Sequence, residues 1–190
     1  PIRSWTEEYC AECGKGRHVY EKGYTVYPYH GPIRESLMRF KYSGRQEYAG
    51  FYARAIAVYG RDEIFRMRPE LLVPVPIHRK KLQKRGYNQA EVLARRLAEE
   101  IGLPVEHRLV LRKKNTLPQK ELSPEERRKN LREAFALRSP ERRLPVRRVL
   151  LVDDIYTTGS TVDALGGLLK QAGAEKVYFV TVAAGGSPGL

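Results

Sequence analysis

Two adjacent carboxylates and a loop rich in hydroxyl groups lie in the stretch VLLVDDIYTTGST, at residues 149–161. Asp153 and Asp154 follow an apolar run, and carboxylates accept hydrogen bonds from sugar hydroxyls or hold a hydrated cation. The loop leads into an amphipathic segment, and a helix N-terminus at that point favours a phosphate. The stretch therefore predicts a ligand that carries a phosphate and, about the length of one ribose away, a pair of sugar hydroxyls.

The loop consists of small or hydroxyl-bearing residues, namely Thr157, Thr158, Gly159, Ser160 and Thr161. Gly159 allows the backbone to curl around a phosphate because it has no Cβ. The same residues also suit an ordinary strand–turn–helix connection with a hydroxyl cap and two solvated aspartates. The patterns G-x-x-x-x-G-K-[ST] and G-x-G-x-x-G are absent from the sequence, which excludes a P-loop and a dinucleotide fingerprint.

The elements that must position these groups alternate between apolar strands and amphipathic helices. Strands are predicted for 71–76, 146–152 and 176–184, and helices for 32–44, 47–60, 87–102 and the segment after 160. Asn88 and Glu91 resemble a capping box at the start of one of these helices. The alternation predicts an α/β fold with a central parallel sheet flanked by helices, whose ligands bind at the carboxyl ends of the strands.

Residues 1–30 differ from the rest of the chain, and we expect them to form a small unit before a main domain at 31–190. Cys10 and Cys13 occur as C-A-E-C-G, which is the spacing of half a zinc site. His18 and His30 could complete such a site, although isolated histidines more often have no such role. The Tyr-rich remainder predicts a short β-hairpin that turns near Gly23.

The composition of the 190-residue chain is that of a soluble globular protein, with 42% hydrophobic and 30% charged residues. The sequence contains no apolar run near the roughly 18 residues of a membrane span, and its first residues lack the apolar region of a signal peptide. Because it contains only two cysteines, a reducing cytoplasm is the expected location. The net charge of +13 favours polyanionic partners, with the basic surface of a heat-adapted protein as the alternative.

The stretch at 149–161 resembles the 5-phosphoribosyl-1-pyrophosphate (PRPP) signature of type I phosphoribosyltransferases. The resemblance implies the type I phosphoribosyltransferase fold for the main domain, after a zinc-ribbon-like remnant at 1–30. It also implies that Asp153 and Asp154 hold the ribose 2′- and 3′-hydroxyls with Mg²⁺ nearby. Residues 157–161 would then wrap the 5′-phosphate.

Other stretches resemble the ComF branch of competence proteins. They are P-V-P…R-G-Y-N-Q at 74–89, YHGPIRESLMRFKYSG at 29–44, T-x-x-Q…A-F at 116–135 and C-x-x-C-G at 10–14. Proteins of this family usually begin with a four-cysteine zinc module, whereas this sequence contains one cysteine pair, so zinc binding through Cys10 and Cys13 is left open. The resemblance implies a role in DNA uptake or natural transformation.

The resemblance further implies chemistry at C1 of PRPP, where pyrophosphate leaves as an acceptor arrives. The expected pyrophosphate-binding segment follows the first core strand and contains Val75, Pro76, Ile77, His78 and Arg79. The expected catalytic residues are Asp153, Asp154, Arg85 and Gln119, with Gln119 in a loop at 112–124 that closes over the ligand.

Several of these residues have a structural alternative. Arg85 and Asn88 also suit a turn followed by a helix cap, and Tyr156 suits either stacking on an acceptor base or packing in the core. The candidates in the polar stretch beyond 112 suit a solvated basic loop and helix face equally well: Gln119, Arg127 and Asn130.

Basic residues around the expected site make single-stranded DNA a second candidate partner beside PRPP, together with the DNA-uptake machinery. The candidates for nucleic-acid binding are Arg79, Lys80, Lys81, Lys84, Arg127 and Arg128. The favoured interpretation is a PRPP- and Mg²⁺-dependent transferase with an unidentified acceptor. The alternative is a non-catalytic, PRPP-sensing module that binds nucleic acid. An amidophosphoribosyltransferase or a nucleobase-salvage enzyme is less favoured, and the oligomeric state is left open.

Overall fold

A four-stranded parallel sheet in the order β1-β6-β5-β2 forms the centre of the molecule. The computed structural model describes residues 18–114, 130–131, 133–141 and 143–185. The strands of this sheet are β1 (Lys22–Pro28), β2 (Leu71–Pro74), β5 (Arg148–Tyr156) and β6 (Lys176–Ala184). A separate antiparallel pair consists of β3 (Val110–Arg112) and β4 (Phe135–Leu137).

Helices cover both faces of the central sheet. They are α1 (Gly31–Tyr42), α2 (Tyr48–Tyr59), α3 (Arg61–Met67), α4 (Arg79–Arg85), α5 (Gln89–Ile101) and α6 (Ser160–Gln171). On one face α1, α2, α3 and α5 form a core with the sheet that contains Phe40, Leu97 and Leu150. On the other face α6 and the β3–β4 pair form a second core that contains Leu165 and Leu151. The predicted α/β fold with a central parallel sheet flanked by helices is confirmed.

The sheet brings three connecting segments to one edge. Residues 149–152 of β5 and most of β6 are apolar, as expected for strands that are covered on both faces. Val152 lies opposite Val180 of β6 and opposite Pro74 of β2. Because all these strands are parallel, the segments that follow residues 28, 74 and 156 begin at the carboxyl edge of the sheet.

Helix α5 follows the predicted pattern closely. The Asn88 side chain accepts a hydrogen bond from the backbone N–H of Ala90 (3.2 Å), and Gly102 ends the helix with a φ of 70°. Glu91 accepts a hydrogen bond from Arg95 at 2.8 Å, one helical turn along the chain. The predicted cap is therefore confirmed for Asn88, while Glu91 makes an i,i+4 ion pair.

The predicted β-hairpin near Gly23 is wrong. Gly23 lies within β1, which runs parallel to β6 and pairs residue by residue from Lys22 to Pro28. A Cβ at Gly23 would overlap the ring of Phe179 on β6, so glycine is required for this close approach. Residues 22–28 thus belong to the central sheet, and the cysteine-containing part of the predicted N-terminal unit lies outside the described residues.

Each helix in the described part of the chain is either too short or too polar to cross a membrane.

Candidate functional site

The two carboxylates lie inside β5, which continues beyond the predicted strand as far as Tyr156. Successive strand residues point to opposite faces, so Asp153 shares a face with Leu151, and Asp154 shares the other face with Val152. Asp154 is 3% exposed, whereas Asp153 is only partly buried. The alternation places the two side chains on opposite faces of the strand, although the two carboxyl groups stay close enough to interact with each other.

Asp154 forms an ion pair with a residue that the sequence analysis did not identify. Lys41 Nζ, in the last turn of α1, lies 2.5 Å from Asp154 Oδ2, and the two side chains are 17% and 5% exposed. Burial is the largest single influence and lowers the pKa of Lys41, but Asp154, with smaller contributions from Asp153 and Tyr29, raises the pKa above its usual value. The Lys41 ammonium is therefore held in its charged form.

A sequence signal for Lys41 does exist. Leu37, Phe40 and Lys41 lie on one stripe of α1, where Leu37 and Phe40 are fully buried. A lysine on the apolar stripe of a helix requires a buried partner. Helical periodicity alone therefore marks Lys41 as unusual, but it does not reveal which carboxylate it meets.

Asp153 occupies a different environment from Asp154. Its Oδ1 accepts the backbone N–H of Asp154 at 2.9 Å. Burial and the adjacent Asp154 charge raise the pKa of Asp153 well above its usual value, although Lys41 opposes that rise. Arg112 of β3 lies close enough for the Asp153 charge to act on it: burial lowers the pKa of Arg112, and Asp153 raises it. The guanidinium of Arg112 also lies over the Phe135 ring, 5.2 Å from its centroid.

Cationic side chains from α4 and β3 lie close enough to act on one another near the acid pair. Partial burial lowers the pKa of Lys81 on α4, and the positive charges of Arg112, Arg85 and Lys41 lower it further. Because Lys41 is already paired with Asp154, we call the other three residues, Lys81, Arg85 and Arg112, the cation cluster. With the Lys41–Asp154 pair neutral, three cations and Asp153 leave an excess of positive charge at the edge of the sheet. The arrangement is electrostatically suited to a polyanionic ligand.

The loop after β5 is closely packed at Gly159. Gly159 has a φ of 74°, and a Cβ there would lie 2.8 Å from Tyr156 Oη and 2.9 Å from Tyr20 Oη. The Thr158 and Ser160 hydroxyls lie 2.9 Å apart, and α6 begins at Ser160. The predicted loop and helix start are confirmed. The left-handed conformation and the two tyrosines both require glycine at this position.

Residues just before β1 are tied to the first turn of α6. Asp163 accepts the backbone N–H of Val19 (2.8 Å), and its other oxygen lies 2.8 Å from Nδ1 of His18. The ring of His18 stacks on Tyr20. Among the described residues, His18 pairs with Asp163. Its role as a zinc ligand stays a prediction.

Tyr156 packs in the protein interior. Its ring stacks on Phe179 with a centroid distance of 4.7 Å, and its hydroxyl lies 2.8 Å from that of Tyr20. Of the two alternatives for Tyr156, the structure shows packing. The Tyr156 hydroxyl packs against Gly159 and so supports the loop 157–161.

The segment after β2 differs in part from its predicted form. The N–H of Val75 donates to the carbonyl of Val152 (2.9 Å) and Pro76 has no N–H, so neither offers a free backbone donor, and their contact with pyrophosphate stays a prediction. His78 caps the short helix α4 by accepting the N–H of Lys80. Ile77, His78 and Arg79 stay predicted ligand contacts.

Arg85 and Asn88 are held by neighbouring residues. Asn88 both caps α5 and donates from Nδ2 to the carbonyl of Val75 (3.0 Å), which is the structural role given as its alternative. Arg85 donates to Gln89 and lies over the ring of Tyr42, 5.1 Å from its centroid. Arg85 is therefore positioned at the border of the cation cluster by contacts within the protein.

Several predicted residues cannot be placed relative to this site. Cys10, Cys13, Gln119, Arg127 and Arg128 lie outside the described residues. The remaining nucleic-acid candidates are exposed on α4: Arg79, Lys80, Lys81 and Lys84. Within the described ranges, three or more His, Cys, Asp or Glu side chains nowhere cluster closely enough to hold a metal by themselves.

Comparison with known proteins identifies the family. Residues 82–190 match the phosphoribosyl transferase domain model. Competence protein F of Haemophilus influenzae is 34% identical over 173 residues, which cover 90% of this chain and 76% of that protein. The DNA utilization protein YhgH of Escherichia coli is 30% identical over 171 residues, covering 88% and 74%. Competence protein ComFC of Bacillus subtilis is 26% identical over 159 residues, covering 83% and 62%.

A purine phosphoribosyltransferase from Pyrococcus horikoshii has a similar structure, with a TM-score of 0.43 and 15% identity, covering 70% of this chain and 74% of that chain. The domain match and the 34% identity to competence protein F show the family. The chain belongs to the ComF family of the phosphoribosyltransferase superfamily.

Proposed function

We propose that this chain binds PRPP with Mg²⁺ at the carboxyl end of β5 and transfers its phosphoribosyl group to an acceptor. The observation that carries the proposal is the continuity of β5, the loop 157–161 and α6, in which the two carboxylates, the hydroxyl-rich loop and a helix N-terminus follow one another near the cation cluster. The membership of a phosphoribosyltransferase superfamily supports the same ligand.

The proposed reaction breaks the bond between C1 of the ribose and the pyrophosphate oxygen while C1 forms a bond to the acceptor. Pyrophosphate leaves with the bonding electrons, and the cation cluster stabilises the charge that develops on it. The acceptor supplies the electron pair of the new bond and releases its proton to solvent. The loop 157–161 fixes the 5′-phosphate, and Asp153 fixes the ribose hydroxyls, so the ligand is oriented from both ends.

Mg²⁺ fits this site as an ion that arrives with the ligand. Mg²⁺ prefers oxygen ligands and usually combines one or two carboxylates with substrate phosphates and waters. Asp153 offers such a carboxylate, and the described residues contain no cluster that would hold the ion alone. When bound, the ion would neutralise charge on the leaving pyrophosphate. Cys10 and Cys13 stay a predicted half-site for Zn²⁺, which metal analysis of the purified protein would test.

We also propose that the protein acts in the uptake or utilisation of DNA. The relatives are named competence protein F and DNA utilization protein, and this chain carries a net charge of +13. The exposed side chains of Arg79, Lys80 and Lys84 would attract the backbone of single-stranded DNA to the edge that carries the PRPP site.

The second candidate function is a PRPP sensor that does not transfer the phosphoribosyl group. The ion pair between Lys41 and Asp154 favours it, because the Lys41 ammonium occupies one of the two carboxylates that were expected to act in catalysis. In that case PRPP binding would alter the affinity for nucleic acid without consuming PRPP.

Titration with PRPP and Mg²⁺, followed by a pyrophosphate-release assay with nucleobases, amines and single-stranded DNA as acceptors, tests both functions. Binding with release supports the transferase, and binding without release supports the sensor. The Asp153→Asn variant is expected to lose binding, whereas Asp62→Asn, an exposed aspartate of α3, is the matched control that should retain it. If the wild-type protein does not bind PRPP, both proposals are contradicted.

A further inference from the structure

The two carboxylates of the acid pair do not face the same surroundings. Asp154 is almost completely buried against α1, where Lys41 meets it, and Asp153 lies on the opposite face of β5, near Arg112. We propose that the pair divides its work: Lys41 is a positioning residue that holds Asp154 in an internal ion pair, and Asp153 is the carboxylate that contacts the ligand. This inference rests on the proposed PRPP site.

The burial of the ion pair makes Asp154 unsuitable as a ligand for sugar hydroxyls. If Asp154 turned to the ribose, the Lys41 ammonium would be left in the core without its counter-charge, which is strongly unfavourable. Hydroxyl groups provide much less electrostatic stabilisation than an ammonium group at hydrogen-bond distance. The ion pair is therefore expected to persist when the ligand is bound.

The position of Asp153 suits it for the ligand. Its Oδ1 is oriented by the N–H of Asp154, so the side-chain conformation is set before a ligand arrives. It lies on the face of the sheet where Arg112 is located, and the cation cluster lies around it. A single carboxylate beside several cations can accept ribose hydroxyls without repelling the adjacent phosphates as strongly as two carboxylates would.

The ion pair also gives α1 a role at the site. Lys41 is the link between the last turn of α1 and the strand that carries the loop 157–161. Arg85, which lies over Tyr42, connects the same turn of α1 to α4. The last turn of α1 thus contacts both the acid pair, through Lys41, and the cation cluster, through Tyr42 and Arg85.

Four variants test the division of work by PRPP titration with Mg²⁺ and by thermal unfolding. Asp153→Asn is expected to lose affinity by about 100-fold, as for a charged hydrogen-bond acceptor, with little change in Tm. Asp154→Leu and Lys41→Met should each lower Tm markedly, because each leaves an uncompensated buried charge. The double variant Lys41→Met/Asp154→Leu should regain most of the lost Tm and bind PRPP within about threefold of wild type, since apolar partners of similar shape leave no unpaired polar group in the interior.

Recovery in the double variant distinguishes positioning from direct contact, because a ligand-contacting residue could not be removed without loss of affinity. If the double variant recovers Tm but loses PRPP binding as severely as Asp153→Asn, then Asp154 or Lys41 contacts the ligand and the inference is overturned. If it fails to recover Tm, the two residues do not act as a pair and the inference is also overturned. Lack of binding by the wild-type protein is a separate result, which overturns the proposed function together with this inference.

Discussion

Gly159 is the residue at which the geometry of the phosphate loop is set. Its φ of 74° and the two tyrosine hydroxyls within 3 Å of a Cβ at this position both exclude larger residues. Tyr156 and Tyr20 meet directly below it, and Tyr156 is in turn stacked on Phe179 of the neighbouring strand. The loop is thus preformed by core packing, which reduces the ordering needed when a phosphate binds.

Gly159→Ala is expected to destabilise the protein by about 1–2 kcal/mol because alanine must adopt a left-handed conformation. It should also weaken PRPP binding by displacing the loop from the tyrosine pair. Urea unfolding and PRPP titration would measure the two effects. Gly167→Ala in α6 is the matched control, because a Cβ there meets open space and alanine favours a helix. Equal behaviour of the two variants would contradict the role given to Gly159.

At the scale of elements, two contacts hold the ends of β5 in place. At its start, Glu70 Oε2 accepts the backbone N–H groups of Arg147 and Arg148, both at 2.8 Å. Beyond its end, Asp163 in α6 binds residues that lead into β1. The strand that carries the acid pair is therefore fixed to other elements on both sides of the site.

The Glu70 contact predicts a pH-dependent stability. The two backbone N–H donors, from Arg148 and then Arg147, lower the pKa of Glu70 below its usual value of 4.5. The stabilisation is therefore fully present above pH 4.5 and is lost as the pH falls through the lowered pKa. The Glu70→Gln variant should have a lower free energy of unfolding than wild type at pH 7, and this difference should become smaller in acid. Urea unfolding at several pH values measures the difference. A difference that is constant with pH would contradict the prediction.

The Asp163 contact predicts a coupling between the N-terminal segment and the phosphate loop. Asp163→Ala removes both acceptors for residues 18–19, so amide hydrogen exchange should rise in the segment 18–20 and in the loop 157–161. Glu175→Ala provides a control, since its ion pair with Arg147 is exposed and far along the chain from α6's first turn. If exchange rises in 18–20 while the loop is unchanged, the two segments are not coupled.

At the scale of the whole molecule, the parallel sheet explains why the site lies where it does. The carboxyl ends of β2, β5 and β6 meet at one edge, and α4, with its exposed cations, follows β2 there. Positive charge occurs along the whole chain, which has a net charge of +13. At this edge of the sheet, the cation cluster lies near the candidate PRPP site. A polyanion would therefore be attracted to the place where the ligand binds.

The charge at this edge predicts a salt-dependent affinity for single-stranded DNA. Lys80→Gln/Lys84→Gln should weaken binding and reduce the slope of log affinity against log salt by about 0.7 for each lost phosphate contact. The control is Lys22→Gln/Lys176→Gln, which removes the same charge from the starts of β1 and β6, at the opposite edge of the sheet. Equal slopes for the two double variants, measured by fluorescence anisotropy, would show that net charge alone matters.

The parts of this structure that depend on local patterns could be predicted from the sequence. The apolar run of β5, the loop with Gly159 and the cap at Asn88 each depend on residues within a few positions of one another. The ion pair between Lys41 and Asp154 could not be predicted, because it depends on how α1 packs against the sheet. The hairpin prediction for β1 is wrong for the same reason, because its partner, β6, lies at the other end of the chain, whereas Gly23 locally favours a turn.

A crystal structure of the protein with PRPP and Mg²⁺ would show directly whether the proposed site binds the ligand. We expect the 5′-phosphate to lie in the loop 157–161 and the ribose hydroxyls to contact Asp153, with Lys41 still paired to Asp154. A sugar phosphate bound elsewhere on the molecule, with the loop 157–161 empty, would rule out the proposed site.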